Sequence, residues 1–279
     1  MTDLDPECDL CGGEDFSTLL EKKGAHYLEC QDCGFIRTDL SAEEFALANE
    51  EFFVGNLAEY AAKSYTAAKQ RRYVRRLHGL EAHRGAGRLL EIGSNVGGFV
   101  HCAKEYGWRA SGVEPVEACA RHAREERGLD VVTGTLGDAD FEPASFDVVY
   151  SNAVFEHLTS PRTVLEQATA LLKPGGVVFI DTVNFGAYTR RFIGAEWKLI
   201  DPLMHACLYT PATLRKLCED RGLEILRMRS HRVRLRPESS GRLRGAARWL
   251  EEARKLPWSV ASRLTLRGES LEVLAIRRG

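Results

Sequence analysis

No stretch of this 279-residue chain approaches eighteen consecutive apolar residues, so a membrane-spanning helix is not expected. The N-terminus, MTDLDPECDL, is acidic and has no apolar segment, which argues against a secretory signal and for a cytoplasmic protein. Nothing repeats at a fixed period, and no low-complexity tract appears. Basic residues are scarce at the front, where residues 1–60 carry three Lys or Arg against fifteen Asp or Glu. The shortage reverses at the other end: residues 227–279 hold fourteen Lys or Arg and five acids, an asymmetry that the net charge of −2 conceals. Such ends meet different partners, meet each other, or are simply solvated faces. With 44% hydrophobic and 28% charged residues the composition is that of a globular protein, and the length fits one catalytic domain plus a small module.

Cysteine, by contrast, is present in a pattern. Four of eight Cys fall in two pairs, Cys8-x2-Cys11 and Cys30-x2-Cys33, while Cys102, Cys119, Cys207 and Cys218 are scattered. Two C-x2-C turns at this separation match a tetrahedral zinc site, and Gly12 and Gly34 after a Cys permit the positive φ such turns need. Disulfides and a redox pair are the alternatives, and a reducing compartment weighs against the first. Four thiolates leave no open position on the ion, so the expected role is structural. Residues 1–40 therefore read as a zinc ribbon with short strands near 27–29 and 35–37, too small to fold without its metal.

Residues 41–84 read as a helical linker or cap, with helix-like spacing over 42–51 and 56–80 that Gly85-Ala86-Gly87 ends. From residue 85 to 279 short apolar runs (89–92, 110–113, 131–132, 146–150, 177–180) alternate with amphipathic stretches (96–107, 115–127, 161–173), the pattern of βαβ units and a parallel sheet. A helix over 211–221, a strand over 223–230, a helical insertion near 241–255 and a final strand over 270–277 follow. Residues 183–210 interrupt this series with Trp197, His205 and Tyr209, and an insertion at the C-terminal edge of the strands belongs over a ligand crevice as a lid.

The first strand ends in Glu91 and runs into Gly93-Ser94-Asn95-Val96-Gly97-Gly98 before a helix. Glycines let the backbone pass close under a ligand, and the helix start supplies free N–H groups. The second strand ends at Glu114, placed to accept hydrogen bonds from ribose hydroxyls. The segment reads E-x-G-x-x-x-G rather than G-x-G-x-x-G, and an acid there suits an ammonium group and repels a pyrophosphate.

With Gly107–Pro115, Phe146–Val149, Asn152–Leu158 and Leu172–Gly176 in the same order, residues 88–182 resemble the class I S-adenosylmethionine-dependent methyltransferases. The resemblance implies an α/β fold with a Rossmann-like, mostly parallel sheet and an antiparallel last strand, here preceded by the small zinc-ribbon module. It implies that Glu91, Gly93, Ser94, Asn95 and Gly97 shape the pocket for the donor's methionine part. Glu114 is implied to bind the ribose and Pro115 or Val116 to underlie the adenine. The Leu136 backbone is implied at the adenine edge with Asp138 nearby, and Asn152 and Ala153 over the sulfonium. Asn95 stands where many members have glycine, and Asn tolerates positive φ; Thr135 stands where Asp is common.

A hydroxyl acceptor needs a base, and His157 and His205 are the candidates, His157 having a structural role as its alternative. In similar methyltransferases a W…H…[FY]-[ST]-P run helps to cover the acceptor, which assigns Trp197, His205 and Tyr209 to substrate, with lid core the alternative for Trp197 and Tyr209. The expected acceptor is a small molecule or glycan (a sugar nucleotide, polysaccharide end or natural-product intermediate), with O-methylation favoured. The basic tail suits an anionic acceptor such as a nucleotide diphosphate or a lipid-linked glycan. Sugar-modifying members with a leading ribbon have a longer form with a further C-terminal domain, and its absence here weakens C-methylation. An rRNA methyltransferase family also places a zinc ribbon before this fold, yet a ribbon that grips RNA should be basic, and this one is strongly acidic. Nucleic acid is therefore not the expected partner. A binding protein without catalysis is the remaining class, and the intact donor positions give it no support.

Overall fold

The computed structural model describes residues 6–237, 239 and 245–278. Its centre is a seven-stranded sheet of β4 (Arg88–Ile92), β5 (Arg109–Glu114), β6 (Val131–Thr133), β7 (Phe146–Asn152), β8 (Leu172–Val183), β10 (Leu223–His231) and β11 (Ser270–Arg277). Their spatial order is β10-β11-β8-β7-β4-β5-β6. β4 to β8 pair in parallel, and β11 runs antiparallel between β8 and β10. The apolar runs behave as doubly covered strands: Leu89, Leu90, Val148, Val149, Val177 and Val178 are completely buried.

Helices cover both faces: α3 (Ala67–Leu80), α4 (Gly98–Glu105), α5 (Glu117–Arg121), α6 (Pro161–Leu171) and α8 (Pro211–Glu219). α4 begins at Gly97 in the left-handed conformation, where a Cβ would come within 2.4 Å of the Leu129 side chain. α3 lies against α4 through Leu77, Leu80, Phe99 and Val100, and a stack of Phe99, Tyr150 and Phe179 fills the space between helix and sheet. Arg76 of α3 clamps this layer to the sheet by pairing with both Asp181 and Glu272. The helical insertion expected near 241–255 is the longer α9 (Gly245–Thr265), residues 241–244 lying outside the described ones. Among the described residues no helix is long and apolar enough to cross a membrane.

A second, four-stranded sheet has the order β1-β2-β3-β9, built from β1 (Phe16–Lys22), β2 (Ala25–Cys30), β3 (Ile36–Thr38) and β9 (Cys207–Leu208). The first three belong to the cysteine-bearing module. The fourth comes from the insertion after β8, nearly 170 residues later, through pairing of Ile36 with Leu208 and Arg37 with Cys207. Sequence periodicity gave no hint of this pairing. α1 (Ala42–Gly55) starts at a capping box of Ser41 and Glu44, and α2 (Leu57–Ser64) leads on to α3.

Candidate active site

Strand order reverses between β4 and β7, and in such sheets the crevice opens beyond the carboxyl ends of the strands at that point. A cavity of about 1490 Å³ lies there. Glu91, Gly93, Ser94, Asn95, Glu114, Pro115, Asn152, Ala153, His157 and His205 all line it, so residues chosen from separate stretches of sequence meet in one place.

Three strand ends form one side. Gly93 has φ +69°, and a Cβ would come 2.5 Å from Val154 Cγ2, so only glycine lets the loop pass beneath the turn after β7. Asn95 takes φ +50°, and its Oδ1 accepts a hydrogen bond from the Val96 N–H at 2.8 Å, a local bond that stabilises the left-handed turn. The Glu114 carboxylate accepts from the backbone N–H of Asn95 at 2.7 Å and of Val116 at 3.0 Å. Burial raises its pKa, and those two N–H groups oppose the rise. Glu91 is buried with Oε2 lacking a partner, and the Ser94 hydroxyl is likewise unpartnered. Burial holds the Glu91 carboxyl well above the ordinary range.

Several expected positions lie elsewhere. Gly97 and Leu136 do not line the cavity: Gly97 packs under Leu129, and the Leu136 side chain is in the core, while Thr135 reaches the cavity. Asp138 accepts from both the N–H and the hydroxyl of Thr135, at 2.8 and 2.7 Å, and so shapes that turn. Trp197 and Tyr209 do not line the cavity either. Trp197 packs with Tyr27, Ile36 and Phe185, and the Tyr209 hydroxyl donates to the Phe155 carbonyl at 3.1 Å. Both rings are buried, and Lys198, Leu199 and Met204 face the cavity instead.

The opposite side is made by the two histidines. Their ring centroids are 5.0 Å apart. His157 Nδ1 lies 3.1 Å from Asn49 Oδ1, and since the Asn49 amide nitrogen donates to the Phe45 carbonyl, the ring nitrogen is the donor. His205 Nδ1 likewise donates to the Leu199 carbonyl, at 2.8 Å. Burial pushes the His157 imidazole down to about 3, with His205 beside it adding to the effect; burial also lowers His205. Asn49, Phe53, Tyr60 and Tyr73 from α1 to α3 complete the wall. Sequence reading assigned these helices no site role, because their helical spacing carries no chemical signature.

The cysteine module supports this side from outside. The Tyr27 hydroxyl donates to the His205 carbonyl at 2.7 Å, the Thr38 N–H to the Ala206 carbonyl at 2.8 Å, and Lys23 pairs with Asp201. Within the module the Gly12 and Gly34 N–H groups donate back to the Cys8 and Cys30 carbonyls, with φ of +77° and +72°. Cys8 Sγ and Cys33 Sγ are 3.6 Å apart, as are Cys11 Sγ and Cys30 Sγ, and all four sulfurs lie within 4.8 Å of one another. None of the eight cysteines is in a disulfide.

Comparison with known proteins agrees with this geometry. A methyltransferase-domain family model matches residues 64–228, more than half of the chain. A ubiquinone biosynthesis O-methyltransferase of Azoarcus sp. is 32% identical over 165 residues, covering 54% of this chain and 71% of the relative. One of the same name from Methylococcus capsulatus is 32% identical over 167 residues, covering 55% and 70%. Among solved structures, a SAM-dependent methyltransferase of Thermotoga maritima has a TM-score of 0.56 at 20% identity, covering 84% of this chain and 100% of that one. Magnesium protoporphyrin IX methyltransferase of Synechocystis, solved with bound SAM, has a TM-score of 0.54 at 13% identity, covering 84% and 97%.

Proposed function

The chain belongs to the S-adenosylmethionine-dependent methyltransferases, and we propose that it methylates a hydroxyl oxygen of a small-molecule acceptor. One observation carries this reading: the carboxylates at the ends of β4 and β5 and the paired imidazoles of His157 and His205 open onto a single cavity. The O-methyltransferase relatives support the choice of oxygen.

The residues fit the donor. Glu91 Oε2, buried and unpartnered, meets the donor's ammonium group, and Ser94 has a free hydroxyl beside it. Glu114 uses its remaining lone pairs for the two ribose hydroxyls, its backbone bonds holding it in place. Pro115, Val116 and Thr135 flank the adenine. Asn152 and Ala153 close the β7 end against the sulfonium. When bound, S-adenosylmethionine supplies an electrophilic methyl carbon, and transfer is an in-line displacement that alignment and exclusion of water accelerate. His205 and His157 both face the cavity that would hold the acceptor hydroxyl, and burial lowers the pKa of each.

We assign zinc to Cys8, Cys11, Cys30 and Cys33. A tetrahedron with Zn–S bonds of about 2.3 Å has sulfur–sulfur edges of roughly 3.8 Å, close to the 3.6 Å pairs observed. With no open coordination position the ion is structural.

The test offers the enzyme and labelled donor a catechol-type phenol, a nucleotide sugar and RNA in parallel. Label on an oxygen of either small molecule supports the reading, whereas label on an RNA base alone sinks it. Glu114→Ala removes two hydrogen bonds to the ribose, about 1.5 kcal/mol each, and should weaken donor binding by roughly 100-fold in calorimetry. Donor affinity should also fall as pH drops through the raised Glu91 carboxyl pKa, because the protonated acid no longer pairs with the ammonium.

A further inference from the structure

A second cavity, of about 480 Å³, lies apart from the one at the strand ends. It is lined by residues 185–188 of the segment after β8, by Arg190 and Arg191 of α7 (Tyr188–Ile193), and by Arg267 in the turn between α9 and β11. We propose that this cavity is a phosphate-binding site in which Arg190, Arg191 and Arg267 hold the anionic group.

Charge supports this first. Three guanidiniums share the cavity and no carboxylate lines it. Among the described residues none of the three has an ion pair, and the acid of the same turn, Glu269, is buried and pairs with Arg234 at 3.2 Å. Like charges gathered without a counter-ion repel one another, and an anion placed between them removes that cost.

The second indication is a fixed frame. Asn184 is completely buried and donates its amide hydrogens to the Leu266 and Gly268 carbonyls, at 2.8 and 2.7 Å, on either side of Arg267. Its Oδ1 accepts from the Gly186 N–H at 3.0 Å, and the Tyr188 N–H donates to the Arg267 carbonyl at 2.9 Å. One buried side chain therefore ties both halves of the cavity together. Arg190 lies 4.0 Å from the centroid of the Phe185 ring, and Arg267 lies 5.6 Å from that of Tyr188, which packs in turn on Trp258 of α9. A guanidinium laid on a ring keeps its N–H edge for an oxyanion, and phosphate accepts such forks in pairs.

Cations beside the first cavity serve as a control. Lys22 donates to the Ala195 and Trp197 carbonyls, and Lys23 pairs with Asp201. Both tie the insertion to the cysteine module, whereas the side chains of Arg190, Arg191 and Arg267 reach no acid among the described residues. The second cavity has the size of a small-molecule site. Residues 185–191 lead directly into the insertion that carries His205, so an occupied site would fasten the root of that insertion to the turn before β11. The site does not depend on which acceptor is methylated.

The phosphate can come from a soluble diphosphate or from a lipid headgroup, and the experiment separates the two. Full-length protein saturated with S-adenosylhomocysteine, which fills the donor positions, is titrated with inorganic pyrophosphate. In parallel it is mixed with phosphatidylcholine vesicles with and without phosphatidylglycerol. Calorimetry should show about one pyrophosphate per chain, or flotation should show vesicle binding that requires the anionic lipid, and either should weaken as salt is raised. Arg190→Ala and Arg267→Ala should each weaken binding roughly 10-fold or more, as loss of a charge-assisted hydrogen bond does. Affinity for S-adenosylhomocysteine should stay unchanged in both, which verifies the fold. Pyrophosphate binding lost in the variants assigns a soluble phosphate, vesicle binding lost in them assigns a headgroup, and each supports the site. Binding of neither probe, or binding that the double variant leaves unchanged, overturns it.

Discussion

The seven-stranded sheet and the four-stranded sheet use different means to stay folded. In the large sheet, strands such as β4 and β8 are buried on both faces, and aliphatic burial carries the structure. In the small sheet β1 has no buried residue, β3 has three residues and β9 two, and its apolar core is shared with the insertion through Tyr27, Ile36, Leu208 and Trp197. Its coherence comes from four cysteines at one end and from pairing with the insertion at the other. The comparison teaches a division of labour. The large sheet presents Glu91 and Glu114, the residues proposed for the donor, on its own strand ends, whereas the loop that carries His205, proposed for the acceptor, is held by the module's Tyr27 and β3.

The largest effect should come from Cys30→Ser. On the zinc assignment proposed above it removes one ligand, and structural zinc contributes on the order of 10 kcal/mol to small metal-dependent folds. Metal analysis should show the zinc lost and methyl transfer abolished, while calorimetry still detects donor binding. Donor binding lost in parallel would break the division between the two sheets. Next is Arg76→Ala, which leaves Asp181 only the 3.8 Å contact to Arg72 and Glu272 only the His231 ring at 3.5 Å as cationic neighbours among the described residues. A buried pair broken on one side costs about 3–5 kcal/mol, so the denaturation midpoint should fall sharply while zinc is retained. The smallest effect should be that of Asn95→Gly. Glycine adopts φ +50° without strain, and only the Asn95 Oδ1 bond to Val96 is lost. Donor affinity and stability should change by less than about 1 kcal/mol, and a larger loss in calorimetry would show that the side chain itself touches the donor.

Much of the fold was legible along the chain. The final strand over 270–277 is found as β11 at those limits, and the apolar runs from 89 to 180 are all strands of the sheet. Doubly buried strands read clearly because each is a dense apolar run. β1 was missed because Phe16–Lys22 mixes exposed polar and half-buried residues, and β9 because two residues carry no period. On the site, Glu91 and Glu114 were legible from spacing to the glycines.

What the sequence determined by itself is the side of the cavity proposed for the donor. Glu91, the glycine turn and Glu114 are fixed relative to one another by adjacent parallel strands, so their spacing along the chain already encodes their spacing in space. What only the tertiary structure decided is the side proposed for the acceptor. Asn49, His157 and His205 come from a helix, a turn after β7 and a loop tied to another sheet. Their meeting depends on long-range packing and on pairing between β3 and β9, which no local pattern records.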